Sequence, residues 1–446
     1  MSKYESYKPI EELWLTQIPD SWEDIKIKFL FSERSEKGYP DEPLLVASQN
    51  MGVVPKGVYG NRTVEATKDL HLLKLVRVGD FVISLRSFQG GIEYAYYQGI
   101  ISPAYTIMVP NQKIVPGYFR YLAKSRLFIE LLQLCVTGIR EGQNIDYGKL
   151  KNHLIPVPPR EEQDQIARYL DWQTSKINRL IAAKKQQIQV LREQQQKLIC
   201  EVITKGLHSD VDYKDSHVAW IGDIPSHWSA IRCKYLFRER DERSKEGAET
   251  HLSMSQKYGL VPDSQLDERR MLSESYAGGK LCYQDDLVLN RLKAHLGVFA
   301  LAPQFGVISP DYTVLIPNTE RIIPSFGEMV LKSALCRREL RVRVRGIIEG
   351  FWRLYTDDFY TIYLPVPPIE EQKEIMQYVD AQAKMTAALE NALNREIELL
   401  HELRTRLISD TVTGQIDVRS IEVPDFKLVE EAADEAEEPE YEMEVE

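Results

Sequence analysis

The sequence predicts an α+β protein: two tandemly duplicated α/β globular domains separated by two long antiparallel helices that form a coiled coil. Three observations carry that expectation. Nearly the whole chain is written twice, and each copy opens on short β-rich runs broken by Gly and Pro. Each copy then closes on a long stretch whose apolar residues recur in alternating steps of four and three.

The duplication has a period near 207 residues. WLTQIPDSW (14–22) returns as WIGDIPSHW (220–228), and SQNMGVVP (48–55) as SQKYGLVP (255–262). VGDFVIS (78–84) answers QDDLVLN (284–290), and ISPAYTIMVP (101–110) answers ISPDYTVLIP (308–317). GIREG (138–142) matches GIIEG (346–350), and LIPVPPREEQ (154–163) matches YLPVPPIEEQ (363–372). The order never breaks and the offset drifts only from 206 to 209, so this is a tandem duplication of whole domains and not a solenoid.

Within each copy, FVISL, YTIMV and LHLLKLV, or DLVLN and YTVLI, read as strands between turn residues. A helical stretch follows (118–134 and 326–344), and Pro-Val-Pro-Pro then imposes extended backbone. Residues 161–204 contain no Gly or Pro. Ile177, Ile181, Ile188, Leu191, Leu198 and Val202 form a seam there, with Lys184 and Gln195 as its polar members. Residues 370–413 repeat the pattern with Leu393, Ile397, Leu400 and Leu407, and Arg404 stands where Gln195 did. Glu161 and Glu162, like Glu370 and Glu371, fall in the first turn, where carboxylates favour the helix dipole. Each helix would be roughly 65 Å long. Its stripe must be buried, either against the duplicate helix in antiparallel pairing or on its own globular unit.

Charge excludes little. From 421 to 446 there are twelve acidic residues and one basic residue, Lys427, so this segment carries the whole net charge of −11. It reads as a disordered, solvated tail on a body of balanced charge. The five cysteines are scattered and never spaced as CxxC, which argues against zinc or a disulfide framework and for a reducing compartment. With no apolar run of membrane-spanning length and no leader pattern at the N-terminus, a cytoplasmic protein is expected.

No catalytic constellation stands up: there is no Walker A sequence, no dinucleotide glycine pattern and no HExxH. His208 and His217 near Asp210, Asp212 and Asp215 sit in the polar link between copies and read as solvated loop, not metal ligands. The expectation is a protein that is not an enzyme, with no catalytic and no metal residues.

Taken jointly, several motifs resemble the specificity (S) subunits of type I restriction–modification enzymes. They are WxxxIPxxW opening each half, NRLKAHLG (290–297), GIIEGFWRLY followed by DDF (346–359), PVPPxxEQ before each helix, and TGQID (413–417). The resemblance covers residues 1 to about 420. It implies target-recognition domains at 1–155 and 209–364, conserved helical spacers at 156–208 and 365–420, and the acidic tail at 421–446. Each recognition domain would read one half of a split, asymmetric site on double-stranded DNA. The helices would set the spacer and dock two methyltransferase (M) subunits, with two motor-nuclease (R) subunits completing the complex. AdoMet, ATP and Mg²⁺ would belong to the partners, none being bound directly. The alternatives are a coiled-coil scaffold without DNA readout and a nuclease with an unrecognised site.

In copy two, Asn290, Arg291, Lys293 and His295 form a polar run at the exit of an apolar strand, where Arg and Asn can read base edges. The corresponding run in copy one offers Arg86, Ser87 and Gln89. Arg343 and Arg345 belong to the densest basic cluster, able to follow phosphates or to pair with acidic neighbours such as Glu339. Trp352 and Arg353 correspond to Asn144 and Ile145, which makes Arg140, Gln143 and Asn144 the further candidates in copy one. Ser48/Gln49 and Ser255/Gln256 suit a shared turn or a shared phosphate contact. Trp14, Trp22, Trp220 and Trp228 read as core anchors.

Overall fold

The computed structural model describes residues 2–59, 69–85, 87–137, 144–255, 258–265, 276–346 and 352–429. Two compact units divide the chain: Met1–Gln186 with Leu393–Glu446, and Gln187–Ala392.

The apolar runs that end VGDFVIS and QDDLVLN become the strands Phe81–Ile83 and Leu287–Asn290, each inside a four-stranded antiparallel sheet. In unit one the strand order is Phe31–Arg34, Thr106–Pro110, Phe81–Ile83 and Glu93–Tyr94. In unit two it is Phe237–Arg240, Tyr312–Pro317, Leu287–Asn290 and Phe299–Leu301. The repeated SQxxGxVP sequences form matching hairpins, Leu45–Ser48 with Gly52–Pro55 and Leu252–Ser255 with Gly259–Pro262. Ser48 Oγ accepts the Met51 N–H and Ser255 Oγ the Tyr258 N–H, so these serines build the turn. Each sheet is pinned at the same point. Arg34 Nε lies 2.9 Å from the buried Asp80 and Nη1 2.6 Å from Glu36. Arg240 Nε lies 2.8 Å from the buried Asp286 and Nη1 2.8 Å from Glu242.

Aromatic side chains fill both cores. Phe31, Phe81, Phe119, Phe128 and Trp14 meet in unit one. Phe237, Phe299, Phe326 and Phe359 are buried with Trp228 in unit two. Trp22 is also fully buried, while Trp220 packs at the edge of its core.

The heptad stretches are helices Arg160–Lys205 and Ile369–Val412, each shared between the two units. They run antiparallel. In unit one Arg404 donates to Asn178 Oδ1 at 3.0 Å and Lys184 pairs with Glu396. In unit two Arg192 Nε lies 3.2 Å from Glu390. Ile177, Ile181, Ile188, Ile397 and Leu407 are buried, and the polar seam positions Lys184 and Arg404 find polar partners across the pair. The helices also pack on the globular bodies, as Val202, Ile203 and Ile375 join the core of unit two. No helix among the described residues is long and apolar enough to cross a membrane.

One segment departs from expectation. The stretch from Ile421, read as solvated tail, is held against the first long helix as far as Val429, where side chains of the helix bind its backbone and Val423 is buried. Residues 430–446 lie outside the described residues.

Candidate nucleic-acid interface

In unit two the turn after the third strand is shaped by its first residue. Asn290 Oδ1 accepts the N–H groups of Leu292 and Lys293 at 3.1 and 3.2 Å, folding NRLKAHLG back on itself. A short 3-10 helix, Ala294–Leu296, follows and ends at Gly297 with φ +77°. A Cβ at Gly297 would also lie 2.7 Å from the Arg337 side chain, which would have to shift, so both the backbone and the space favour glycine. Arg291 is equally committed: its Nε donates to the Asp311 carbonyl at 2.6 Å, tying the turn to the neighbouring loop. The side chains of Asn290 and Arg291 therefore hold the turn that carries the rest of the run. The Lys293 side chain stands exposed on that turn with no hydrogen bond or ion pair among the described residues. The side chain of His295 lies outside the described residues.

The basic cluster divides in the same way. Arg343 bonds Glu339 and the Thr361 hydroxyl, and Arg345 pairs with Asp358, so both are held by acidic or polar neighbours. The backbones of Arg345 and Arg353 exchange N–H···O bonds at 2.9 and 2.8 Å, which leaves the Arg353 side chain exposed beside the half-buried Trp352. Arg338 and Arg341, three residues apart on helix Ala334–Arg343, are exposed and carry no ion pair among the described residues. Both are exposed cations that the sequence places in the cluster without distinguishing them from their neighbours.

In unit one Ser87 is buried and its hydroxyl accepts the Ser84 N–H at 2.8 Å, so it closes the turn. Gln89 is exposed on the same turn, and Asn144 is exposed in the short strand Asn144–Ile145. Arg86, Arg140 and Gln143 lie outside the described residues.

A brace beneath this turn has no counterpart among the described residues of unit two. Lys124 Nζ reaches Gly90 O at 2.9 Å, Gln49 O at 3.0 Å and Glu93 Oε1 at 2.6 Å, with Glu93 fully buried. At the corresponding register position of the unit-two sheet stands Ala300, paired with Val288 as Glu93 is with Val82. Burial pushes the Glu93 carboxyl up to about 7, against the opposing pull of Lys124. A carboxyl whose folded pKa exceeds its unfolded value stabilises most below the unfolded pKa, and that contribution is lost as pH rises through the folded one. Unit one is therefore expected to lose up to about 3 kcal/mol between pH 4.5 and pH 8, a loss that Glu93→Gln should abolish. Denaturant unfolding of both proteins across this range reads it; parallel pH profiles would count against the assignment.

Glu162 and Glu371, read as first-turn charges, have a second task. Glu162 accepts from Tyr4 Oη and, at 3.0 Å, from Trp22 Nε1; Glu371 accepts from Trp228 Nε1 at 2.9 Å. The adjacent Gln163 and Gln372 bind three backbone groups each and lock the helices to the globular bodies.

With this geometry in view, the relatives are informative. A family model described as the type I restriction modification DNA specificity domain matches residues 19–190 and 275–399. The type I restriction enzyme MjaVIII specificity subunit of Methanocaldococcus jannaschii is 22% identical, covering 94% of this chain and 98% of its own. The EcoKI specificity subunit of Escherichia coli K12 is 21% identical over 73% of this chain and 71% of its own. A chain from a solved type I R-M system superposes with a TM-score of 0.63 at 15% identity, covering 90% of this chain and 99% of that one. The HsdS subunit from Thermoanaerobacter tengcongensis gives 0.50 at 15% identity, covering 90% and 98%. At that identity the structural likeness is one of fold.

Proposed function

Since the chain belongs to the type I restriction–modification DNA specificity family, we propose that its duplicated units read the two unlike halves of a split, asymmetric DNA site. A specificity subunit is not an enzyme: it supplies the address for a complex whose other subunits do the chemistry. One observation carries the finer reading. The two units share sheet order, hairpins and the Arg–Asp pin, yet at the turn after the third strand one presents Gln89 and the other Lys293. A common frame with different side chains at one exposed place is what two readers of different sequences require.

In this reading Lys293 faces base edges, Arg338, Arg341 and Arg353 follow phosphates, and Gln89 and Asn144 act in unit one. The paired helices dock two methyltransferase subunits and fix the spacer, and two motor-nuclease subunits complete the assembly in the cytoplasm. AdoMet, ATP and Mg²⁺ reside on those partners.

Methylation-site mapping with the methyltransferase subunit present tests this: a split motif with two unlike halves is expected, and a contiguous or palindromic site would overturn it. Lys293→Ala should relax one half-site only, costing about 1–3 kcal/mol of discrimination. Arg338→Ala combined with Arg341→Ala should weaken matched and scrambled duplexes alike and lower the salt slope by about two.

A further inference from the structure

On the first long helix, side chains along four turns bind the backbone of a segment distant in sequence. Gln165 Nε2 donates to the carbonyls of Val418 and Ile421 at 3.1 and 2.6 Å, and Arg168 to that of Val423 at 3.1 Å. Arg179 donates to the Lys427 carbonyl at 2.7 Å and Asn178 to that of Val429 at 2.9 Å. Ser175 Oγ accepts the Val429 N–H at 3.1 Å. This is capture of an extended peptide through its main chain.

The duplication supplies an internal control. At the offset of 209 these five helix positions become Glu374, Gln377, Lys384, Ala387 and Ala388, all exposed. Tyr169, on the same helix, is 1% exposed, whereas its counterpart Tyr378 is 37% exposed. Ala387 and Ala388 have no donor for a carbonyl and Glu374 is acceptor-only when ionised, so the second long helix does not repeat the set of contacts that holds the segment on the first. On the second, Tyr378, Met385 and Leu389 form an exposed stripe at steps of seven and four.

We propose that residues 421–429 are a built-in cover that makes the two duplicated helix faces inequivalent toward methyltransferase subunits. The open face of the second long helix takes one subunit directly. The face of the first takes another only after the strap lifts, so its apparent affinity is reduced by the fraction of time the strap is open. The inference rests on the reading that these helices dock methyltransferase subunits.

Titration of the full chain with the methyltransferase subunit, followed by native mass spectrometry and calorimetry, tests it. Two dissociation constants separated by about tenfold or more are expected for the full chain. Truncation after Ser420 should bring them within about threefold, as should Gln165→Ala with Arg179→Ala, which keeps every acidic residue. Truncation after Val429, which removes only residues 430–446, should leave the separation intact and so excludes tail charge as the cause. Constants as far apart in the chain ending at Ser420 as in the full chain would overturn the strap while leaving helix docking in place. No uptake of the methyltransferase by any variant would overturn the docking reading and the strap with it.

Discussion

Gln372→Ala is expected to destabilise the second globular unit by about 2–4 kcal/mol. The Gln372 side chain is fully buried and makes three bonds: Oε1 accepts the Ile323 N–H at 2.8 Å, and Nε2 donates to the carbonyls of Arg321 and Pro367, both at 2.9 Å. Alanine removes all three bonds and leaves the part-buried Ile323 N–H without its acceptor and two carbonyls without their donor, which costs more than the net worth of an ordinary hydrogen bond. Ile323 caps helix Pro324–Lys332, so the damage should begin there. Hydrogen exchange of the Ile323 amide, together with denaturant unfolding, reads the effect. Gln163→Ala should reproduce it in the other unit, where Gln163 binds Val115, Lys113 and Pro158 in the same manner. A loss below about 0.5 kcal/mol in either unit would show that the glutamine is not the lock.

The second large effect concerns DNA spacing. Four residues inserted at Gln195 add about 6 Å of helix, close to two base pairs of rise at ~3.4 Å each. Both half-site sequences should stay as they are while the preferred spacer lengthens by one or two base pairs. Binding should weaken as well, because four residues turn a helix by about 40° beyond a full rotation while two base pairs turn DNA by roughly 70°. Methylation mapping on a library of randomised spacers decides it: an altered half-site with an unchanged spacer would remove the helices from the measuring role.

The large-scale plan was legible because it repeats. Two copies of each motif in one order define two domains, and the heptad seam defines the helices whatever they pack against. The site was legible only as a region. Asn290 and Arg291 are the residue types that read bases, but a turn can recruit the same groups to close itself, and the choice depends on where the backbone of Leu292 and Asp311 passes. Glu162 met the requirement of a first-turn carboxylate, so nothing local pointed to an indole 140 positions earlier. The strap was hidden by the charge of the residues beyond it. Ile421, Val423, Phe426, Leu428 and Val429 are apolar, a run too short and irregular to outweigh twelve carboxylates in the same segment.

The division of the chain also bears on its synthesis. Unit two is one continuous run, Gln187–Ala392, whereas unit one combines Met1–Gln186 with Leu393–Glu446. Within unit one the Asp417 N–H bonds Ser2 O at 3.0 Å, and Tyr7 Oη donates to Gly414 O at 3.0 Å. On the ribosome the unit that begins first is therefore the one that finishes last. Its opening residues wait for the closing ones, while the later unit has every residue it needs as soon as Ala392 has emerged.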